Sequence, residues 1–390
     1  MPAGVYLHIP FCKSRCSYCD FATDVFRDSG SVDRYVDALC REIRSEPPAF
    51  AGGQFIDDSV GSANWPAADA TGSDIDTIYF GGGTPSLLEP EQIKRILNAV
   101  TSLFSVDESA EITMEMNPAT VTPEKLDAYK KLGINRASFG VQTFNDRDLK
   151  LLARGHDAND ARQTYRMLRE AGFENISFDL IAGLPGQTLK DWSQNLDEAM
   201  AMEPEHLSLY LLEIHESTPL AEQVRSGRRT PIDDELAAEM YELMLDRLAA
   251  AGYEQYEISN FSKPGFESQH NTKYWRLEPV FGFGVSAHSF DGSERYANER
   301  DTAQYVEMIE RTGSAETFRE TIDLASEYAF LGLRLNEGIV LGDYESRFGI
   351  DISKRVAGLL ENGLVETSAG RVRLTRKGML FSNEVFGEFV

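Results

Sequence analysis

Six short β-rich segments alternate with amphipathic helical patterns in the first half of this chain, and this alternation constrains the fold more than any other feature. The predicted strands span residues 5–9, 75–80, 111–116, 136–141, 176–181 and 207–212. The helical patterns span residues 31–45, 89–103, 123–132, 160–171 and 188–202. Such alternation is typical of βα units whose strands lie in one parallel sheet. We therefore predict an α/β fold with six βα units.

Polar or glycine-rich groups closely follow five of the six predicted strands. In chain order they are a run of cysteines, Gly-Gly-Gly-Thr at 81–84, Glu-Met-Asn-Pro at 115–118, Gly-Val-Gln at 140–142 and Gly-Leu-Pro-Gly at 183–186. The carboxyl ends of parallel strands meet at one edge of a sheet, and ligand sites form there. We expect these groups to build a single site.

Three of the four cysteines, Cys12, Cys16 and Cys19, form one run after the first predicted strand. Three thiolates can hold an iron-sulfur cluster and leave one iron free for a small-molecule ligand. The alternative is a closed zinc site with His8 as the fourth ligand. Zinc sites usually pair two Cys-x2-Cys knuckles, or one knuckle with a distant histidine pair, so a single run favours the cluster. Cys40 lies at an apolar helical position, and we predict that it packs in the core.

The composition bounds the class of protein and its partners. The chain has 390 residues, enough for two or three domains, and a net charge of −25 from 38 basic and 63 acidic residues. Such acidity argues against nucleic acid as a partner. There is neither a disulfide framework nor a basic segment followed by an apolar one at the N-terminus, which predicts a cytoplasmic location. Without an apolar run of 18 residues, an integral membrane protein is not expected.

The pattern also predicts two domains, at residues 1–300 and 301–390. In the first, residues 46–73 read as an exposed insertion. A helix over 233–252, a short segment at 256–259, a loop carrying His270 and a glycine-rich strand near 281–289 are expected to extend the sheet. In the second, short helices followed by a β-hairpin have the order of a winged helix. Residues 321–390 hold eight basic and ten acidic side chains, so we expect an interaction or capping module rather than a DNA-binding one.

The motifs together resemble the radical SAM superfamily over nearly the whole chain. Closer similarity is to the coproporphyrinogen III dehydrogenase group and its HemW-type relatives, through Tyr-x-His-Ile-Pro-Phe-Cys at 6–12, Phe-Gly-Gly-Gly-Thr-Pro-Ser at 80–86, Glu-x-Asn-Pro at 115–118, Gly-Val-Gln at 140–142 and Asp-Leu-Ile-x-Gly-Leu-Pro at 179–185. The resemblance implies a partial (β/α)6 barrel of parallel strands, followed by the small, mainly helical, winged-helix-like domain.

The resemblance also implies the cofactors and the residues that hold them. Cys12, Cys16 and Cys19 would ligate a [4Fe-4S] cluster, whose open iron would be chelated by the amino and carboxylate groups of S-adenosylmethionine. The residues carried over to S-adenosylmethionine are Tyr6, Gly82, Gly83, Thr84, Glu115, Gln142, Arg154 and Asp179. No residue is assigned a catalytic role.

One position separates this chain from the dehydrogenase. The dehydrogenase pattern has another cysteine two residues after the third, where this chain has Phe21. This departure resembles the HemW-type haem chaperones, as does His-Asn-x-x-Tyr-Trp at 270–275. Imidazole is a natural axial ligand of haem iron, so this resemblance implies that His270 binds haem. A histidine with aromatic neighbours is also a common structural anchor, and that alternative stays open.

Three functions follow in order of preference. The first is a haem chaperone that transfers haem to acceptor proteins, with membrane-associated respiratory enzymes as one class of acceptor. It would lack coproporphyrinogen dehydrogenase activity. The alternative is an oxygen-independent coproporphyrinogen III dehydrogenase that acts on a porphyrin precursor in haem biosynthesis. The third is a zinc-bearing winged-helix regulator.

Overall fold

A computed structural model describes residues 2–26, 28–45 and 74–390. The predicted insertion at 46–73 therefore lies outside the described residues. The strands are β1 (Ala3–Ile9), β2 (Phe11–Cys12), β3 (Asp24–Val25), β4 (Ile75–Gly82), β5 (Val106–Met116), β6 (Arg136–Gln142), β7 (Asn175–Ala182), β8 (His206–Leu211), β9 (Glu254–Glu257), β10 (Asn260–Ser262), β11 (Val280–Phe283), β12 (His288–Phe290), β13 (Glu294–Asn298), β14 (Glu316–Thr321), β15 (Ile339–Val340), β16 (Val365–Ser368) and β17 (Arg371–Leu374).

Helices separate most of these strands. They are α1 (Ser29–Ser45), α2 (Pro90–Leu103), α3 (Pro123–Lys131), α4 (Asp146–Leu151), α5 (Ala158–Glu170), α6 (Leu189–Ala201), α7 (Pro219–Arg225), α8 (Asp234–Ala250), α9 (Gln269–Trp275), α10 (Thr302–Thr312), α11 (Leu324–Gly332), α12 (Leu341–Phe348), α13 (Ser353–Glu361), α14 (Arg376–Leu380) and α15 (Ser382–Gly387). Of these helices, none is long and apolar enough to cross a bilayer.

The main sheet has twelve strands in the order β14-β13-β12-β11-β1-β4-β5-β6-β7-β8-β10-β9. The six predicted βα strands, β1 and β4 to β8, lie side by side and parallel in chain order, which confirms the predicted units. β11 pairs in parallel with β1 at one end of this block. Antiparallel strands extend the sheet beyond β11 at that end and beyond β8 at the other. Because the outermost strands β14 and β9 do not pair with each other in the described residues, the sheet forms a partial barrel.

The parallel strands alternate between two faces with a period of two residues. On β4, Ile78 and Phe80 belong to the main hydrophobic core, whereas Thr77 and Tyr79 point to the other face. The same alternation on the neighbouring strands gives one apolar face, which packs with the helices, and one face rich in polar and aromatic side chains. The polar face is the surface on which the site is built.

Side-chain caps fix where several helices begin. Thr122 accepts a hydrogen bond from the backbone of α3, and Asp157 and Thr188 form capping boxes at α5 and α6. Each cap satisfies a backbone N–H that has no partner inside the helix. These caps explain why the helices start within two residues of the positions that the sequence predicts.

Two local predictions were wrong. His270 lies on helix α9 rather than in a loop, because Ser268 caps the helix by accepting a hydrogen bond from the Asn271 backbone N–H. The predicted strand near 281–289 is two antiparallel strands, β11 and β12. Gly284 ends β11 with a φ of 103°, a conformation that favours glycine.

The C-terminal elements have the predicted winged-helix order. α11, β15, α12 and α13 are followed by the β16–β17 hairpin, and the strands form a separate sheet in the order β15-β17-β16. A second hydrophobic core holds these elements together and is built almost entirely from residues 325–389. α10 packs into the first core through Tyr305 and Ile309, and β14 pairs with the main sheet. The domain boundary at 300 stays a prediction.

Candidate functional site

The cysteine run leaves the end of β1 and is held by the short β2–β3 pairing. All three thiols are partly exposed. The Thr84 hydroxyl donates to Cys12 Sγ at 3.5 Å, and Arg154 Nη1 donates to Cys16 Sγ at 3.5 Å. Burial raises the pKa of the Cys12 thiol to about 11, and burial also raises the pKa of Cys19. Donors aimed at sulfur would favour the thiolate forms that a cluster requires.

His8 is not placed as a fourth ligand for a zinc ion. The ring is buried, with Nε2 2.9 Å from the carbonyl oxygen of Ala22 and Nδ1 3.1 Å from the Tyr6 hydroxyl. Within the described residues, no three histidine, cysteine or carboxylate side chains are arranged to hold a metal ion. The ligands of a four-iron cluster bind separate irons and stand farther apart than the ligands of one ion. The arrangement therefore offers no support for the closed zinc site.

The glycine run at the end of β4 lies against the cysteine loop. Gly82 has a φ of 110°, and its backbone N–H donates to Glu115 Oε2 at 3.1 Å. A Cβ on Gly83 would stand 2.6 Å from the backbone of Pro10, just before the first cysteine. The absence of a side chain at Gly83 thus allows the two loops to approach closely.

Two partly buried carboxyl groups, Glu115 on β5 and Asp179 on β7, lie on the polar face of the sheet. Burial raises the pKa of Glu115 to about 7, although the Tyr79 hydroxyl donates to Oε1 at 2.8 Å and opposes the shift. Burial likewise raises the pKa of Asp179 to about 6, opposed by the positive charge of Arg136 and a hydrogen bond with Ser208. Both groups can therefore change their protonation near neutral pH and can accept hydrogen bonds from ligand hydroxyl groups when ionised.

The Arg154 guanidinium connects the strand ends with the cysteine loop. Nη2 donates to Asn117 Oδ1 at 2.6 Å and to the Gly140 carbonyl oxygen at 2.7 Å. Its Nε atom is buried and has no partner among the described residues. Gln142 is the buried last residue of β6. Its φ of 68° is a strained conformation for a residue other than glycine, asparagine or aspartate. An unpaired buried donor and local strain are features of a ligand site.

The structure brings the predicted residues together on five adjacent strands or the loops that leave them. These residues are Tyr6 on β1, Gly82, Gly83 and Thr84 at the end of β4, Glu115 on β5, Gln142 and Arg154 at and after the end of β6, and Asp179 on β7. Asn117, which belongs to one of the groups expected to build the site, bonds to Arg154, and sequence reasoning missed Tyr79 and Arg136. A signal was available for Tyr79 and Arg136, because both occupy polar-face positions in the period-two alternation.

Arg136 is a fully buried charge on the polar face. Its Nε lies 4.0 Å from Glu111 Oε2 and has no hydrogen-bond partner among the described residues. The Glu111 carboxylate in turn accepts hydrogen bonds from the backbone N–H groups of Gln269 and His270, at 3.3 and 3.1 Å. This carboxylate therefore fixes the start of α9 against the sheet.

His270 lies inside the protein, with 1% of its surface exposed. Nδ1 is 2.9 Å from Thr77 Oγ1, Nε2 is 3.1 Å from the Tyr274 hydroxyl, and the ring stacks on Tyr79 at 5.1 Å. Burial lowers the pKa of His270 to about 3, so the ring is neutral. The haem-ligand role of His270 stays a prediction. It would require one ring nitrogen to give up its hydrogen bond with Thr77 or Tyr274.

The other end of α9 contacts the C-terminal elements. The Arg334 guanidinium lies 4.4 Å from the centre of the Trp275 ring and 5.7 Å from that of Phe386. The Asn336 backbone N–H donates to the carbonyl oxygen of Tyr256 at 2.9 Å. The His-Asn-x-x-Tyr-Trp motif therefore joins the polar face of the barrel to the winged-helix-like elements.

Comparisons with known proteins agree with this architecture. Residues 66–199 match the model of the radical SAM superfamily, and residues 320–381 match the model of the HemN C-terminal domain. The chain is 36% identical to the heme chaperone HemW of Bacillus subtilis over 397 residues, covering 99% of each protein. The chain belongs to the HemW family of radical SAM proteins. The HemW of Mycobacterium tuberculosis is 33% identical, with 98% of this chain and 94% of that protein covered.

A solved structure supports the fold of this HemW family member independently. Coproporphyrinogen III oxidase (HemN) from Escherichia coli, a radical SAM enzyme, superposes with a TM-score of 0.83 at 24% identity, covering 100% of this chain and 90% of that one. Membership in the radical SAM superfamily implies a [4Fe-4S] cluster and S-adenosylmethionine. The donor set fits both groups, because the three thiols share this site with an unpaired buried guanidinium nitrogen and two partly buried carboxyl groups.

Proposed function

We propose that this protein is a cytoplasmic haem chaperone, which binds haem and transfers it to acceptor proteins from a radical SAM scaffold. The observation that carries the proposal is the end-to-end similarity to HemW of Bacillus subtilis, a protein named as a heme chaperone. Membrane-associated respiratory enzymes are one class of acceptor to test. The winged-helix-like domain would cover the barrel mouth or contact these acceptors.

The residue at position 21 supports the chaperone over the dehydrogenase. Phe21 follows the third cysteine by two residues, and 68% of its surface is exposed. The dehydrogenase pattern has a cysteine at this place, and a phenyl ring offers no thiol for chemistry. We therefore expect no oxidative decarboxylation of coproporphyrinogen III.

We assign the cofactor roles to the residues that meet at the strand ends. Cys12, Cys16 and Cys19 would hold the cluster. Arg154 would bind the carboxylate of S-adenosylmethionine through its guanidinium, and Glu115 or Asp179 would accept hydrogen bonds from the ribose hydroxyls. When bound, the cluster supplies the electron for radical chemistry on S-adenosylmethionine. The residues Tyr6, Gly82, Gly83, Thr84 and Gln142 would shape the remainder of this pocket.

A single preparation tests the proposal. The full-length protein is reconstituted anaerobically with iron and sulfide, assayed for both, and titrated with haem. We expect about four irons per chain, lost in a Cys12→Ala variant, and a Soret band that saturates at a fixed haem-to-protein ratio. Failure of the reconstituted protein to bind haem would overturn the chaperone proposal.

The dehydrogenase is tested in the same preparation. With a reductant, S-adenosylmethionine and coproporphyrinogen III, no protoporphyrinogen should form, whereas haem should pass from the loaded protein to an apo-cytochrome. Formation of protoporphyrinogen at rates that depend on the cluster cysteines would favour the enzyme instead. Fractionation of cells should place the protein in the cytoplasm, and recovery from the periplasm would contradict that part of the proposal.

A further inference from the structure

Arg136 is a buried positive charge whose partners use only part of its bonding capacity. It is 1% exposed and lies opposite Thr113 of β5 and Asn175 of β7 in the sheet. Among the described residues its one ion-pair partner is Glu111, at 4.0 Å, and its Nε atom has no hydrogen-bond partner. Such a long ion pair offsets little of the cost of taking a guanidinium out of water, so the burial of this arginine indicates a further role.

The charge of Arg136 acts on titratable groups from several sides of the polar face. Burial lowers the pKa of His206 on β8 and of His270 on α9, and the charge of Arg136 adds to both shifts. Burial raises the pKa of Tyr79 on β4 and of Tyr256 on β9, and the same charge opposes both of these shifts. Because these four groups belong to different elements around the sheet, Arg136 is electrostatically central to the polar face.

The two partly buried carboxyl groups of the site are subject to the same charge. Glu115 lies two residues beyond Thr113, the register partner of Arg136, and therefore on the same face of β5. Burial raises the pKa of Asp179 to about 6, and the charge of Arg136 is the strongest effect in the opposite direction. Burial also raises the pKa of Glu115 to about 7, and Arg136 opposes that rise alongside two hydrogen bonds. Without Arg136, both carboxyl groups would hold their protons to a higher pH.

The other ionisable groups around these two carboxyl groups are mostly neutral. Burial and nearby carboxyl groups raise the pKa of the surrounding tyrosines, which are Tyr6, Tyr18, Tyr79, Tyr210, Tyr256 and Tyr274. The remaining ionisable side chains are the two histidines already named, Glu111, Glu257, Arg154 and Lys273, the last of which pairs with Asp76 and Glu278. In the proposed function Arg154 pairs with the carboxylate of S-adenosylmethionine, which leaves Arg136 as the cation that acts on Asp179 and Glu115.

We propose that Arg136 favours the ionised forms of Glu115 and Asp179 near neutral pH, so that both can accept hydrogen bonds from the ribose hydroxyls of S-adenosylmethionine. An ionised carboxylate accepts such bonds more strongly than a neutral carboxyl group does. Arg136 is a positioning residue, because it acts through these two groups; it begins β6, whereas Gln142 of the site ends the same strand. This inference rests on the cofactor roles in the proposed function and adds the residue that sets the pH range of binding.

The test measures the affinity for S-adenosylmethionine as a function of pH, in full-length protein with its cluster reconstituted. In the unsubstituted protein the affinity should rise with pH as the carboxyl groups ionise, and then level off. Arg136→Gln should move the midpoint of this rise upward by about one pH unit, so that affinity falls about tenfold near pH 6 and little near pH 9. Arg136→Lys keeps a positive charge and should restore the midpoint. The control Arg162→Gln removes an arginine of α5 that pairs with Glu198, and it should leave the profile unchanged.

Glu111→Gln supplies a second measurement of opposite sign. Removing the carboxylate beside Arg136 leaves the positive charge less compensated, so the midpoint should move downward, and this variant decides the question if Arg136→Gln does not incorporate iron. A midpoint that stays in place in the variants that retain the cluster, or a loss of affinity that is equal at every pH, would overturn this inference and leave the cofactor roles intact. If the unsubstituted protein bound no S-adenosylmethionine, the cofactor roles and this inference would both be overturned, whereas haem titration of the same preparation would still test the chaperone proposal.

Discussion

The partly buried carboxyl group of Glu115 leads to a quantitative prediction about stability. Its pKa rises from 4.5 to about 7 because burial disfavours the charged form. A raised carboxyl pKa means that the folded state is most favoured at low pH and loses stability as the pH rises from 4.5 to 7. At about 1.4 kcal/mol for each pKa unit, ionisation should cost the folded protein about 3 kcal/mol above neutral pH.

The substitution Glu115→Gln removes this cost while keeping the size of the side chain. Thermal unfolding of the cluster-free protein, followed by circular dichroism at about pH 5.5 and about pH 8.5, should show a stability advantage of the variant that grows by about 2 kcal/mol with pH. The lower pH stays above the sequence pI of about 4.7, where solubility falls. At the higher pH the midpoint temperature of unfolding of the variant should lie about 4 °C above that of the unsubstituted protein, for a chain of this length.

A control and a second measurement complete this test. Glu170→Gln changes an exposed glutamate at the end of α5 and should leave the pH dependence unchanged. In the reconstituted protein, Glu115→Gln should weaken the binding of S-adenosylmethionine, since an amide accepts hydrogen bonds from hydroxyl groups less strongly than a carboxylate does. Parallel stability curves for the variant and the unsubstituted protein at both pH values would refute the reasoning about burial.

Three further substitutions have defined outcomes. Gly83→Ala should abolish cluster incorporation in iron and sulfide assays, because the new Cβ would clash with the backbone of Pro10. The control Gly358→Ala should incorporate iron normally, because there is open space around a Cβ at that position. Arg154→Lys should weaken the binding of S-adenosylmethionine about tenfold in an equilibrium assay, since an ammonium group cannot replace the two parallel N–H donors of a guanidinium. Equal affinity would contradict the assigned role of Arg154. His270→Ala should lower the free energy of unfolding by about 2 kcal/mol or more and Thr77→Val by less, in denaturant titrations; unchanged stability of His270→Ala would refute an anchoring role.

The sequence predicted the scaffold well for a physical reason. Each βα unit combines a short β-branched strand with an amphipathic helix, and caps such as Asp157 and Thr188 mark where helices begin. These are local signals, so the six parallel strands were confirmed to within a few residues. The winged-helix order was also predictable from local signals, because its turns contain glycine.

Features that depend on packing were not predictable. α9 has only seven residues, too few for a helical period to stand out, although Ser268 was an available cap signal. The burial of His270 depends on contacts with Thr77 and Tyr79, which lie almost 200 residues earlier in the sequence. The alternation places Arg136 on the polar face, but its neighbour Glu111 is seen only once the adjacent strands are paired. Long-range contacts decide such positions, and one sequence does not reveal them.

The short helix α9 has a consequence for communication across the molecule. Its residues Tyr274 and Trp275 are adjacent, yet the first bonds to His270 beside the barrel interior and the second stacks with Arg334 of the C-terminal elements. Two turns of helix offer no hinge between these contacts. A ligand that displaced Tyr274 would therefore also disturb the contact between Trp275 and Arg334, so the state of the barrel interior and the position of the C-terminal elements are linked through this helix.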